Sequence, residues 1–309
     1  MDSVFILVLA LAIDLAFGEP PNAWHPVAWL GKVISLEMKG APKGAKAQFV
    51  YGIAMVVLTV AIIMALVYFS LIYLRQLNSA AYILAAALIF KLTFSIRELR
   101  QAAVRVKKSL IQDNLEQARS HLSALVHRDT AGLSKPQAIS ATVESVAENS
   151  CDSFVAPLFY FLFFGVPGAA AYRMINTFDA MIGFRGKWEY LGKFAARLDD
   201  VVNFIPARLA ALVLIVASWI SGKDARQAWQ IMWRDHRLTE SPNAGWTMSA
   251  AAGALGVRLE KVGCYCLGDN HYPLSEKTID SSLRLLAMVT VVWSLTCLLP
   301  EVVHLVLAY

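Results

Sequence analysis

Three carboxylates, Glu144, Glu148 and Asp152, recur at four-residue intervals behind Ser134-Lys135-Pro136-Gln137. The Ser and Gln have the form of a capping box with proline in the first turn, so the acids should ride one face of a helix. Like charges at that spacing destabilise a helix, so something should offset them. A divalent ion or a basic substrate group would do so, and hard oxygen ligands suit magnesium. Asn149 lies beside the acids. A solvated acidic stripe is the plainer alternative, and Ala138, Ile139, Val143, Val146 and Ala147 on the same helix speak against it.

Three further clusters carry polar groups at apolar borders. Segment 173–208 holds Arg173, Asn176, Asp179, Arg185, Arg197, Asp199, Asp200, Asn203 and Arg208. Arginine suits bidentate binding of phosphate and carboxylate, and paired aspartates suit a metal that bridges phosphates. A structural salt-bridge network is the alternative. Asp14 sits in an apolar run where a charge is costly, which makes a functional role the default reading. His25 precedes Pro26 and is held extended. Ser241 and Asn243 precede a run of small residues, Gly253 and Gly256 among them, that permits close backbone approach to another helix or to a ligand, with helix packing the simpler reading. Several familiar motifs fail: the Gly186-Lys187 pair lacks P-loop spacing, and Cys264 and Cys266 form C-x-C, which is neither a zinc nor a redox motif and is read as reduced thiols.

The elements that must position these groups belong to a membrane protein. Apolar and aromatic residues make up 57% of the 309, charged residues 17%, and mean hydropathy is +0.52. A span needs about 20 apolar residues. Val4 to Phe17, Val50 to Leu74, Ala80 to Ile96 and Leu285 to Leu299, the last continuing past Pro300, are expected to cross as four full spans. Segments 154–176 and 204–220 are broken, the first by Gly165-Val166-Pro167-Gly168 and the second by Pro206 beside Arg208. Either both span and put 177–203 outside, or both re-enter and leave it inside. Breakers with intramembrane arginine favour re-entrance. Helical spacing of Leu99, Ala103, Val106 and Leu110, then of Leu115, Ala118, Leu122 and Leu125, predicts a helical hairpin turning at Asp113-Asn114. The fold class is therefore all-α and polytopic. One membrane-embedded domain over 1–309 is expected, with a cytoplasmic helical insertion at about 97–153 and a cytoplasmic loop at about 221–284. Lys and Arg collect in 18–49, 97–153 and 221–284, which puts those segments inside the cytoplasmic membrane and both chain ends outside. The net charge of +5 follows from those loops and does not argue for nucleic acid.

The ordered clusters resemble the cobinamide-phosphate synthase family of the cobamide (vitamin B12) pathway. The carrying segments are Asp14, Gly18-Glu19-Pro20, His25-Pro26-Val27, Arg128-Asp129-Thr130, Glu144 through Asn149 with Asp152, Asn176 through Asp179, Arg197 through Asp200, Asn203, Pro206 through Leu209, and Ser241 through Gly245. They cover residues 14 to about 270, nearly the whole chain. The resemblance implies an amide-forming ligase that joins adenosylcobyric acid to aminopropanol or its O-phosphate, with ATP and magnesium driving the step through an acyl phosphate. It implies a site facing the cytoplasm, a lipid bilayer around the protein, and other membrane enzymes of the pathway as potential partners. On that basis Glu144, Glu148, Asp152, Asp179, Asp199 and Asp200 are candidate metal ligands. Arg128, Asp129, Asn149, Arg173, Asn176, Arg185, Arg197, Asn203, Arg208, Ser241 and Asn243 are candidates for phosphate and substrate. Asp14, His25, Glu144 and Glu148 are candidate catalytic groups, with His25 or Asp14 deprotonating the amine. Glu19, Ala180, Phe184 and Asn270 depart from the family's usual residues and bear on fine substrate preference. A membrane sensor of similar architecture or a transporter is the competing class. The density of acids, amides and arginines on one membrane side speaks against the first, and the lack of two related halves against the second.

Overall fold

A computed structural model describes residues 2–20, 26–126, 128–184, 186 and 188–307. In chain order its helices are α1 (Asp2–Phe17), α2 (Pro26–Lys39), α3 (Ala45–Leu77), α4 (Ser79–Lys91), α5 (Ile96–Ile111), α6 (Leu115–Leu122), α7 (Lys135–Ser150), α8 (Ala156–Ile182), α9 (Glu189–Val202), α10 (Phe204–Ile220), α11 (Ala225–Asp235), α12 (Ala244–Leu255) and α13 (Glu276–Leu307). A π-helical turn, Cys151–Val155, joins α7 to α8. Strands β1 (Leu259–Lys261) and β2 (Tyr265–Leu267) pair antiparallel in a hairpin that the sequence pattern did not reveal.

The protein is all-α apart from that hairpin and polytopic. Among the described residues, Ala45–Leu77, Ser79–Ile111, Lys135–Ile182 and Glu276–Leu299 are long and apolar enough to cross a membrane, and α9 with α10 qualifies as a bent pair. The membership of this set differs from expectation in two places. Helix α1 has 16 residues, about 24 Å at 1.5 Å per residue, against a hydrocarbon core of about 30 Å. Segment 154–176 instead lies within a 48-residue helical stretch. The predicted break is nonetheless there: Gly165 has φ 65° and ψ −163°, a region open essentially to glycine alone, two residues before Pro167.

The chain divides into two compact units, Met1–Ser95 with Ala156–Asn203 and Cys297–Tyr309, and Ile96–Val155 with Phe204–Thr296. The first has a core of Met174, Phe178 and Ile182 on α8, Leu191 and Ala195 on α9, Met55 and Val56 on α3, and Ile34 on α2. Backbones approach closely there: a Cβ on Gly52 would strike the Leu191 carbonyl, and one on Gly192 the Ile182 carbonyl. Helix α1 packs on α4, and Phe90 of α4 stacks on Phe161 at 4.1 Å.

In the second unit α12 is the central helix, buried from Gly245 to Leu255 and packed by α7, α10, α11 and β2. Gly253 faces the backbone of Gln227 and Ala228, as the packing reading of that glycine expects. The α5–α6 hairpin also forms where predicted. Asp113 turns it with φ 51°, and the Asn114 side chain accepts the Gln117 amide. At the start of α7 the capping box closes in both directions, with Gln137 N donating to Ser134 Oγ (3.5 Å) and Ser134 N to Gln137 Oε1 (2.8 Å).

Candidate active site

In the second unit the acids of α7 meet the β hairpin. Glu144 is 4% exposed. Its Oε1 accepts from Ser140 Oγ (2.6 Å), its Oε2 accepts from the Tyr265 hydroxyl (2.8 Å), and Arg128 Nη1 lies 3.4 Å from Oε2. Ser140 Oγ in turn accepts the Glu260 amide at 2.8 Å, so the hairpin is fastened to α7 through both strands. Burial, then Glu144 and Glu148, push the Tyr265 phenol above its ordinary range, which keeps it a donor. Arg128 Nε is buried with no acceptor among the described residues. An unmade hydrogen bond of that kind costs about 1–3 kcal/mol, more for a charged group, unless a ligand or water completes it.

The neighbouring candidates have local partners. Asn149 donates to the carbonyl and hydroxyl of Ser145 (2.9 and 3.2 Å) and accepts from Ser153 (3.1 Å). Asp129 accepts the Ala131 amide at 2.9 Å in the turn that delivers Arg128. Asp152 lies in the π-helical turn rather than in α7 with Glu144 and Glu148. Trp293 Nε1 donates to the Val155 carbonyl at the end of that turn, at 3.1 Å.

The same unit places Arg208, Ser241 and Asn243 together. Arg208 Nη1 donates to Asn243 Oδ1 at 3.0 Å, and the guanidinium lies 3.6 Å over the Phe204 ring and 4.8 Å over that of Trp246. Ser241 Oγ accepts the amides of Asn243 (3.2 Å) and Ala244 (3.4 Å) in the turn that leads into α12.

In the first unit the candidates of 173–203 form a relay. The Tyr172 hydroxyl donates to Asn203 Oδ1 (2.9 Å), Asn203 Nδ2 to Asp199 Oδ2 (2.9 Å), and Asn176 Nδ2 to Asp199 Oδ1 (3.4 Å). Arg173 Nη1 reaches Asn176 Oδ1 at 3.5 Å, and its Nε is buried without an acceptor among the described residues. Asp200 pairs with Arg197 at 3.5 Å, and the Arg197 side chain is 77% exposed. Asp179 bonds Gly183 through its carbonyl (2.7 Å), and its carboxylate occupies the space a Cβ on Gly183 would need.

Asp14 is fully buried on α1, 3.5 Å from Lys91 Nζ, and Glu19 lies 2.6 Å from the same ammonium. Lys91, Tyr265 and Ser140 are the polar groups that reading of the sequence missed. A lysine near the end of an apolar helix was the available signal for Lys91. Ser140 carried one too, since it stands four residues before Glu144 on the same helix, whereas Tyr265 carries none because it meets Glu144 only through tertiary folding. His25 and Arg185 lie outside the described residues. Among the described residues no group of three or more His, Cys, Asp or Glu is arranged to hold a metal ion. Both oxygens of Glu144 are already engaged, so an all-protein magnesium cage does not fit α7. What does fit is the lesser demand of an ion carried on phosphates, for which one or two carboxylates suffice.

A family model described as CobD/Cbib protein matches residues 7–287. "Cobalamin biosynthesis protein CobD" of Dehalococcoides mccartyi (strain CBDB1) is 55% identical over 296 residues, 96% of each chain. "Probable cobalamin biosynthesis protein CobD" of Methanothermobacter thermautotrophicus is 38% identical over 296 residues, covering 96% of this chain and 97% of the relative. "Cobalamin biosynthesis protein CobD" of Geobacter metallireducens is 36% identical over 290 residues, 91% of each. No solved structure matches. A match over nearly the whole chain, through every segment on which the resemblance rests, means that the chain belongs to the CobD/Cbib family of cobalamin biosynthesis proteins.

Proposed function

We propose that this protein is the amide-forming synthase that joins the free carboxyl of adenosylcobyric acid to aminopropanol or aminopropanol O-phosphate. ATP with magnesium drives the step. Membership of the CobD/Cbib family supports the pathway, and the buried Arg128–Glu144–Tyr265 cluster with its open Arg128 Nε is the observation that carries the chemistry.

An amine cannot readily displace oxygen from a carboxylate, because that oxygen is a poor leaving group. In the proposed reaction the γ-phosphoryl group of ATP passes to the carboxylate oxygen, giving an acyl phosphate and ADP. The amine nitrogen then bonds the acyl carbon, the carbon–oxygen bond to phosphate breaks, and the nitrogen loses a proton. Fixed cations aimed at the phosphoryl oxygens lower such a barrier. Arg128 is the proposed donor. Glu144 holds one edge of its guanidinium while Nε stays available to a phosphoryl or carboxylate oxygen, and Tyr265 and Ser140 hold Glu144. Glu144 is thus a positioning residue in this reading. Magnesium, when bound with the nucleotide, neutralises phosphate charge, and Glu148 and Asp152 are the acids proposed to meet it. The proton leaving the amine nitrogen is taken up by the departing phosphate. The proposed site faces the cytoplasm, the side on which Lys and Arg of 97–153 and 221–284 are expected.

Arg128→Lys keeps the charge and loses the planar fork. It should lower kcat about a hundred-fold with little change in the KM for the corrinoid. Tyr265→Phe, which removes a hydrogen bond to a charged group, should lower kcat about ten-fold. Steady-state turnover of detergent-purified variants measures both. Full kcat in Arg128→Lys would remove this cluster from the mechanism.

A further inference from the structure

Beyond β2 the chain is clamped to α11. Asp235 is buried, accepts the Gly268 amide at 2.7 Å, and is gripped by Arg234 through two bonds of 2.7 and 2.9 Å. Arg234 also spans to both oxygens of Asp269, at 2.9 and 3.2 Å. Beside this clamp lies a cavity of about 590 Å³ that the proposed mechanism does not use. Its lining includes a face of α11 bearing Arg226, Gln230 and Arg234 at four-residue intervals, with Gln227 beside them, and the segment beyond β2 adds Asp269 and Tyr272.

The charges decide what the cavity suits. Arg226 and Arg234 are balanced by Asp224 and Asp269, so the Asp and Arg charges of the lining sum to zero. A nucleoside triphosphate needs a net positive wall, and this one has none. Gln227 and Gln230 each offer a carbonyl acceptor and two N–H donors, so donors and acceptors alternate along the face. Such a wall matches a ligand whose own surface is a series of primary amides. The Tyr272 ring, 66% exposed, adds an apolar surface against which a macrocycle edge can lie.

Position adds a second argument. Tyr265, which holds Glu144, and Asp269, which lines the cavity, are four residues apart. Their Cα atoms are therefore at most about 14 Å from each other, a distance that one macrocyclic ligand covers. A corrinoid acid has the required chemistry: a rim of primary carboxamides and a single free carboxyl. We infer that this cavity seats the amide-bearing rim of the corrinoid substrate while the carboxyl reaches Arg128, which rests on the synthase reading above.

The test is equilibrium binding to the detergent-purified full chain, with adenosylcobyric acid followed by its visible absorbance and ATP titrated separately. Gln230→Leu and Tyr272→Ala should each raise the Kd for adenosylcobyric acid about three- to ten-fold and leave that for ATP unchanged. Gel filtration and melting temperature check that each variant is folded. Because Tyr272 is exposed, its variant carries the test if Gln230→Leu is misfolded. Wild-type corrinoid affinity in a folded variant, with the wild type binding, overturns the cavity assignment and leaves the synthase reading standing. Loss of ATP affinity instead makes the cavity a nucleotide site and also overturns the inference. A wild-type protein that binds no adenosylcobyric acid overturns both.

Discussion

A lysine inside an apolar helix costs several kcal/mol unless it is paired, and Lys91 is paired twice, with Asp14 and Glu19. Removing the ammonium leaves Asp14 without it at a buried position and Glu19 at a half-buried one. Lys91→Met should therefore destabilise the protein by about 3–5 kcal/mol, read as loss of folded material on gel filtration after membrane extraction. Adding Asp14→Asn to that variant should recover part of the yield. Equal yields for Lys91→Met and wild type would show that the triad does not support the fold. The same triad marks how far residues could be read alone. Asp14 and Glu144 declare themselves by type, one as a charge in an apolar run and the other as part of an i, i+4 acidic series. Their partners do not, because Lys91 is 77 residues from Asp14 and Tyr265 is 121 from Glu144. Arg197 and Ser241 are the reverse case. Their partners are local, since Arg197 pairs with Asp200 three residues on and Ser241 accepts the Asn243 amide two residues on.

At the scale of elements, local signals carried well and long-range ones did not. The capping box at Ser134, the hairpin turn at Asp113-Asn114 and the break at Gly165 are each fixed by a few adjacent residues, and each is present. The β hairpin and the π-helical turn were not legible. Three-residue strands have too few positions to show alternation, and the π turn is held by Trp293, more than a hundred residues away. Close helix crossings were only partly legible, since a glycine in an apolar run does not announce its neighbour. Gly192 meets the Ile182 carbonyl, whereas Gly132 has open space around its Cα. Gly192→Ala should thus lower stability by about 1–3 kcal/mol, while Gly132→Ala should change it by less than about 0.5 kcal/mol. Melting temperatures of the two variants in one detergent would show the contrast. Equal values would mean that α9 can move away from its neighbour without penalty.

For the whole molecule, hydropathy and charge were enough to establish an all-α polytopic protein, since apolar length is a property of sequence. They were not enough to say which stretch supplies each crossing. Helix α1 is short, and the stretch through 154–176 is long despite its breakers. The proposed orientation puts 97–153 and 221–284 in the cytoplasm with both ends outside. With the other cysteines replaced, a single cysteine at Gly132, which has open space for a side chain, or at the native exposed Cys264, should react with a membrane-impermeant maleimide only after the cells are opened. Labelling of either in intact cells would reverse the orientation.

The central claim is the reaction. Detergent-purified protein would be given adenosylcobyric acid, aminopropanol or its phosphate, ATP and magnesium, and the corrinoid would be weighed by mass spectrometry. The account predicts a corrinoid heavier by the amine less one water, formed only with ATP and lost in Arg128→Ala. An unchanged corrinoid mass with both amine forms, in protein that binds adenosylcobyric acid, would contradict it.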